Sequence, residues 1–144
     1  MIATRREPAR LPWSHALTSF ACTVHAAAVL IYAAVFFGLT NTELRWNGVE
    51  QLPRWYLIVL AAGVAVSHAA VAFGPLLPAG WRTSVAVRAI RATVAVVCGL
   101  SLLFAALMLP FAVFAGASWE GWALMLALGM SAAIVLASLV RAER

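Results

Sequence analysis

Residues 17–39 read LTSFACTVHAAAVLIYAAVFFGL, a run of 23 residues without Asp, Glu, Lys or Arg. As an α-helix rising 1.5 Å per residue, this run is about 35 Å long, which exceeds the roughly 30 Å hydrocarbon thickness of a bilayer. Three further uncharged runs follow at residues 55–77, 92–117 and 121–140. The sequence therefore predicts an all-α integral membrane protein, a four-helix transmembrane bundle that forms a single domain over residues 1–144.

The composition agrees with that prediction and excludes several kinds of chemistry. The chain is 65% hydrophobic and 10% charged, whereas soluble domains have about 25% charged residues. A soluble protein of buried helices is the alternative, but uncharged runs of this length favour membrane spans. Without lysine there is no Schiff-base chemistry, and all five glutamates lie outside the runs, so the usual carboxylate of a proton-coupled carrier is missing.

The arginines predict the orientation of the spans. Eight of the ten arginines lie in the N-terminal segment, the second connection and the C-terminal tail, while Arg45 and Arg54 lie on the opposite side. Cytoplasmic loops carry the excess of positive charge, so both termini are predicted to be cytoplasmic. The alanine-rich, lysine-free composition suggests a bacterial plasma membrane, and the first run is too long for a cleaved signal peptide. The tryptophans, which favour membrane interfaces, all lie at run ends: Trp13, Trp46, Trp55, Trp81, Trp119 and Trp122.

Proline and glycine predict where the first two helices stop. Pro8 and Pro12 disfavour regular helix in residues 1–16, and the first span is expected to end near Gly38. Residues 40–54 are then a polar connection with a turn at Asn47-Gly48. In the second run, Gly74-Pro75 is expected to stop or kink the helix.

The second half of the chain has its own local signals. Ser84 is a plausible N-cap for a helix that continues into the third run. Pro110 lacks a backbone N–H and is expected to bend that helix. The short link at residues 118–120 makes spans three and four antiparallel neighbours.

Two histidines inside the runs are the main functional candidates, because polar groups in a membrane are costly. His25 lies about 12 Å from the cytoplasmic end of its span and His68 about 13 Å from the same side of an antiparallel span. The two imidazoles are thus expected at one level. They can be axial ligands of haem b in a haem- or quinone-binding redox subunit, or packing residues that hydrogen-bond Ser67, Thr18, Thr23, Tyr32 or a backbone carbonyl. Binding of another metal, or a proton relay, is a third interpretation.

The packing interpretation is favoured, because alanine-rich helices approach to about 8–10 Å and leave little room for a macrocycle. Two histidines are also fewer ligands than zinc requires. Cys22 and Cys98 lie inside spans without a CxxC motif, and both are interpreted as small apolar fillers. His15 is interpreted as a residue at headgroup level. No metal or other cofactor is predicted, with haem b as the alternative.

Two surfaces are candidates for binding. Small residues spaced four apart form helix-packing faces for this bundle or for another subunit or copy. They are Gly63 and Ser67 in the second span, and Gly129, Ala133 and Ala137 in the fourth. Basic residues flank the third span, and they are expected to contact anionic lipid headgroups or to form a solvated collar: Arg82, Arg88 and Arg91.

The predicted function is correspondingly general. The net charge of +5 is scattered over span flanks, so it points to lipid headgroups rather than to nucleic acid. No phosphate-binding loop or nucleophile elbow is present. The sequence favours a non-catalytic accessory or assembly subunit of a membrane complex, bound to another membrane subunit or to its own copies. The alternatives are the redox subunit and a small lipid or solute transporter with Pro110 as a hinge.

Overall fold

The computed structural model describes residues 12–116 and 118–143. Residues 1–11, with the predicted non-helical lead-in at Pro8, lie outside the described residues. The described chain is helical without strands, which confirms the all-α prediction. A short 3-10 turn at Gly74–Leu76 separates the second and third helices. The α-helices are α1 Pro12–Trp46, α2 Trp55–Ala72, α3 Ala79–Arg82, α4 Val85–Phe114 and α5 Trp119–Glu143.

Helix α1 extends beyond the predicted run at both ends. Pro12 is its first residue, a position where the missing N–H of proline breaks no intrahelical bond. The prediction that the helix ends near Gly38 is wrong. The hydroxyl groups of Thr40 and Thr42 donate to the carbonyl oxygens of Phe36 and Gly38, at 2.8 and 2.9 Å. These local bonds satisfy the hydroxyl groups of the two threonines within the helix. The helix can therefore continue beyond the apolar run.

The first connection turns where the sequence predicted. Gly48 has φ +68°, in the left-handed region that glycine adopts without steric cost, so the Asn47-Gly48 turn is confirmed. The loop then returns to α1 through Asn41. The Asn41 amide nitrogen donates to the Leu52 carbonyl at 3.3 Å, and its Oδ1 accepts from the Leu52 backbone N–H at 2.8 Å. This pair of bonds fixes the position at which α2 enters the bundle.

Three further local predictions agree with the structure. Helix α2 ends just before Gly74, and the chain continues as the 3-10 turn. The Ser84 hydroxyl oxygen accepts from the Val87 N–H at 3.3 Å, which confirms the N-cap of α4. Helix α4 continues through Pro110 to Phe114, and the bend expected at this proline stays a prediction. The link to α5 contains Gly116 with φ +63°, which makes α4 and α5 consecutive packed neighbours.

The four long helices pack in the cyclic order α1, α2, α4, α5. The core between them includes Ala21, Cys22, Val94, Cys98 and Ala132, each at most 1% exposed. All four helices are long and apolar enough to cross a membrane, yet only 17–28% of each apolar window is buried inside the bundle. Most residues of each window are therefore exposed or only half-buried, as expected where lipid rather than water surrounds the helices.

Gly129 gives a test of the α4–α5 packing. A Cβ atom at Gly129 would lie 3.3 Å from the Cβ of Ala105 on α4. Gly129→Leu is therefore expected to overpack this contact and to lower the free energy of unfolding by about 1–3 kcal/mol. Ala123, nearly two turns earlier on α5, is exposed, so Ala123→Leu is the control. Unfolding in detergent measures both, and equal stabilities of the two variants would contradict this packing.

Candidate functional site

The two histidines of the apolar helices are in direct contact at the centre of the bundle. The Nδ1 atom of His25 on α1 lies 2.8 Å from the Nε2 atom of His68 on α2. The ring centroids are 5.0 Å apart, and the side chains are 0% and 3% exposed. The prediction that the two imidazoles share a level is confirmed.

The hydrogen bonds define which ring nitrogens carry protons. The Nδ1 atom of His68 lies 2.8 Å from the Val64 carbonyl oxygen, which only accepts, so this nitrogen carries a proton. In a neutral ring the Nε2 atom of His68 is then an acceptor, and the Nδ1–H of His25 donates to it. Neutral rings are favoured at both positions, since no carboxylate lies in the apolar runs and an unpaired buried charge is very costly.

Helix α4 adds two polar side chains to this pair. The Nε2 atom of His25 accepts from the Ser101 hydroxyl at 3.1 Å, and the Cys98 Sγ atom lies 3.7 Å from the Nδ1 atom of His25. Cys98 is fully buried and Ser101 is 8% exposed. A single chain of hydrogen bonds thus runs from Ser101 through His25 and His68 to Val64, linking α4, α1 and α2.

Sequence reasoning missed the contribution of α4. The sequence pattern is typical of an apolar filler at Cys98, and it does not predict that Ser101 contacts His25. The two residues are three apart, so they lie on one face of a helix. This spacing of a cysteine and a serine in an apolar run was the available signal, but it does not tell which neighbouring helix the face contacts.

Three atoms of the cluster are common metal ligands. The ligand atoms of His25, His68 and Cys98 all lie within 4.8 Å of one another. Bonds of about 2.0 Å to nitrogen and 2.3 Å to sulfur in a trigonal site need about 3.5 Å between the nitrogens and about 3.7 Å from nitrogen to sulfur. The observed distance of 3.7 Å between His25 Nδ1 and Cys98 Sγ already matches. The histidine nitrogens, 2.8 Å apart, would need to separate slightly.

Most of the hydrogen-bond partners predicted for the histidines bond elsewhere. The Thr18 hydroxyl pairs with Ser138 of α5 at 2.9 Å, and the Thr23 hydroxyl donates to the Ser19 carbonyl at 3.0 Å. The ring of Tyr32 contacts Phe104 edge-on, at 5.3 Å between centroids. Of the predicted side chains, that of Ser67 lies nearest to a histidine, with its hydroxyl oxygen 3.5 Å from the Nδ1 atom of His68. The same hydroxyl donates to the Val64 carbonyl at 3.0 Å. The predicted backbone carbonyl is that of Val64.

The predicted small-residue faces have mixed environments. Gly63 is exposed, with no neighbouring side chain within 4 Å of the position that a Cβ atom would take, and Ser67 is half-buried. On α5, Gly129 contacts α4, whereas Ala133 and Ala137 are exposed. Part of each face is therefore available to lipid or to another protein.

Of the three candidate headgroup arginines, one lines a cavity. Arg91 lies at the edge of an opening of about 530 Å³ at the end of the bundle where α1 and α4 begin. His15 and Arg141 also line this cavity. Arg88 is exposed, and the exposed Arg82 donates from Nε to the Leu77 carbonyl at 2.8 Å, capping the loop after α2.

No protein-family model matches this chain, and no curated protein or solved structure matches it. The fold and the site together define its class. It is a bundle of four helices able to cross a membrane, with two histidines and a cysteine buried together at its centre.

Proposed function

We propose that this chain is a multi-pass membrane protein that binds a transition-metal ion in its interior and works as an accessory subunit of a membrane complex. The observation that carries the proposal is the convergence of His25, His68 and Cys98, whose ligand atoms lie within 4.8 Å of one another. Imidazole and thiolate together are typical ligands of copper and zinc. The cost of burying these polar groups among apolar helices has a functional reason if they hold an ion.

The surroundings of the cluster support ion binding rather than catalysis on an organic substrate. His25 and His68 are at most 3% exposed, and each described buried side-chain nitrogen or oxygen has a hydrogen-bond partner. A substrate would need an open pocket beside these groups. A single ion needs only a small separation of side chains that already touch.

The accessory role is supported by the outer surface. Ala133 and Ala137 lie one turn apart on the exposed side of α5, and small residues at this spacing let a second helix approach closely. The proposed partner is another membrane subunit or a second copy of this chain.

Haem b remains the alternative occupant of the histidine pair, and the geometry favours the ion. Two axial nitrogens held at about 2 Å on opposite sides of an iron are about 4 Å apart, with a macrocycle between them. The two rings here are in direct contact at 2.8 Å. The nitrogen that His25 presents is Nδ1, and its Nε2 is already bonded to Ser101. An ion therefore requires less rearrangement than a porphyrin.

Metal analysis and an absorption spectrum of the purified protein test the proposal. We expect about one transition-metal ion per chain after reconstitution and no Soret band. His68→Gln is expected to lose the ion, while His15→Gln, at an exposed histidine, retains it. A Soret band that disappears in His68→Gln would establish the haem alternative instead. A colourless, metal-free protein that purifies with a fixed partner would leave the accessory role and refute metal binding.

The cavity at the arginine-rich end supports contact with anionic lipid headgroups. Arg91 and Arg141 line it together with the hydrogen-bonded pair Thr18 and Ser138. Arginine recognises phosphate through paired N–H groups. Lipid flux in vesicles that contain this chain alone would instead indicate the transporter, with Pro110 of α4 as its hinge.

Cysteine labelling tests the proposed location, a bacterial plasma membrane with both termini in the cytoplasm. Trp46 and Arg82 are exposed and lie at opposite ends of the bundle's helices. Trp46→Cys is expected to react with an impermeant thiol reagent added outside intact cells, and Arg82→Cys only after the membrane is opened. The native cysteines are buried, so labelling of the unsubstituted chain measures the background reaction. The reverse pattern would overturn the topology.

A further inference from the structure

We infer that the ion bound by His25, His68 and Cys98 is monovalent copper, Cu(I), and that Ser101 orients the His25 ring through a hydrogen bond to its Nε2 atom. This inference rests on the metal-binding function proposed above. It adds the identity and charge of the ion and a positioning residue. The cluster's total charge, its number of ligands and its hydrogen bonds each lead to this conclusion.

The charge balance of the site favours a monovalent ion. The cluster has one acidic proton to lose, that of the Cys98 thiol, and two neutral imidazoles. A Cu(I) ion with one thiolate has no net charge, whereas a divalent ion would leave one positive charge. No glutamate lies in the apolar runs to compensate it, and an uncompensated charge in a low-dielectric interior is strongly unfavourable.

The number and kind of ligands agree with the charge. Three ligand atoms converge among the residues that the structure describes, while structural zinc sites are closed by four. Thiolate is a soft ligand that selects Cu(I), and imidazole also suits copper. A set of two histidines and one cysteine is a trigonal arrangement that copper accepts.

The hydrogen bonds leave His68 in the tautomer that can bind an ion, whereas His25 must change its tautomer on binding. The Nδ1–H of His68 donates to Val64 at 2.8 Å, so its Nε2 lone pair is available to the ion. The Nδ1 atom of His25 must lose its proton to bind, and its Nε2 atom must gain one for the ring to stay neutral. Ser101, 3.1 Å from that Nε2 atom, then changes from donor to acceptor, which a hydroxyl can do.

The binding step balances without an oxidant or reductant. Bonds form from Cu(I) to His25 Nδ1, His68 Nε2 and Cys98 Sγ, and the S–H bond of Cys98 breaks. Within His25 a proton is lost from Nδ1 and one is gained at Nε2. One proton per ion is therefore released to water, and copper remains Cu(I) throughout. The outer hydrogen bonds to Val64 and Ser101 then orient both histidine ligands.

Competition titrations of the full chain in detergent test the identity of the ion. Under nitrogen, Cu(I) is titrated against the chromogenic chelator bicinchoninate, and Zn(II) against a zinc chromophore. We expect one Cu(I) per chain, bound at least about 100-fold more tightly than Zn(II), with one proton released. X-ray absorption is expected to show two nitrogen neighbours and one sulfur neighbour.

The outcomes separate this inference from the proposed function. Failure to bind either ion would refute the metal-binding function and the inference together. Zinc bound as tightly as Cu(I), or two protons released per ion, would overturn the inference while leaving a metal site. Two sulfur neighbours would also overturn it, because a second thiolate would then be a ligand.

Variants of Ser101 test the positioning role. Ser101→Ala is expected to weaken Cu(I) binding about 10- to 100-fold, as loss of an outer hydrogen bond to a histidine ligand does. Ser101→Thr retains the hydroxyl and is expected to restore the affinity and the absorption spectrum of the site. If Ser101→Ala binds Cu(I) as tightly as the native chain, the proposed role of Ser101 is overturned. The same follows if Ser101→Thr is correctly folded but binds Cu(I) as weakly as Ser101→Ala.

Discussion

Replacing His25 by alanine is expected to lower the free energy of unfolding of the metal-free protein by about 4 kcal/mol. The ring is fully buried and makes hydrogen bonds to His68 and to Ser101. Its removal leaves a cavity and takes away the ring partner of the His68 Nε2 atom. Unfolding in mixed detergent measures the loss. His15→Ala is the control, since that histidine is exposed and its variant should unfold like the native chain.

A double substitution separates the hydrogen bond from the packing. His25→Leu leaves His68 with an unsatisfied buried nitrogen, whereas His25→Leu combined with His68→Leu removes both polar partners. Because the removal of both partners avoids the unsatisfied group, we expect the double variant to be at least as stable as His25→Leu. If the destabilising effects of the two single leucine variants simply added, the buried hydrogen bond between the rings would not contribute to the stability of the metal-free protein.

The parts of the fold that the sequence predicted depend on local physics. The uncharged runs define four helices, because each run is long enough to cross a bilayer. Gly74 and Ser84 mark a helix end and a helix start for reasons that involve only neighbouring backbone atoms. The shared level of His25 and His68 follows from the rise per residue of two antiparallel helices.

The cluster itself could be predicted only in part, because its third ligand depends on tertiary packing. Distance along a helix gives the depth of a side chain but not the neighbour it faces. In a run as apolar as 92–117, the spacing of Cys98 and Ser101 marks one face of α4 but does not tell which helix that face contacts. The contacts of the face that carries Cys98 and Ser101 are therefore known only from the tertiary structure, in which α4 packs between α2 and α5. The continuation of α1 past Gly38 could not be predicted for another reason. The hydroxyl groups of Thr40 and Thr42 donate to backbone carbonyl oxygens of the same helix, so these polar residues do not end it.

The two buried cysteines of the chain allow a matched comparison of ligand and packing residue. Cys22 and Cys98 are 1% and 0% exposed, and both belong to the same core cluster. Alanine removes the same sulfur atom in each variant, so the packing cost should be similar. Only the sulfur of Cys98 belongs to the group of ligand atoms formed with His25 and His68.

Cys98→Ala is therefore expected to weaken metal binding at least about 100-fold, because it removes the thiolate that neutralises the ion as well as one of three bonds. Cys22→Ala is expected to bind the ion with the affinity of the native chain. Chelator competition on both purified variants measures the difference, and melting curves verify that each is folded. Equal loss in the two variants would show that the sulfur atoms act through packing alone. Loss confined to Cys22→Ala would place the ion nearer to the start of α1 and overturn the proposed ligand set.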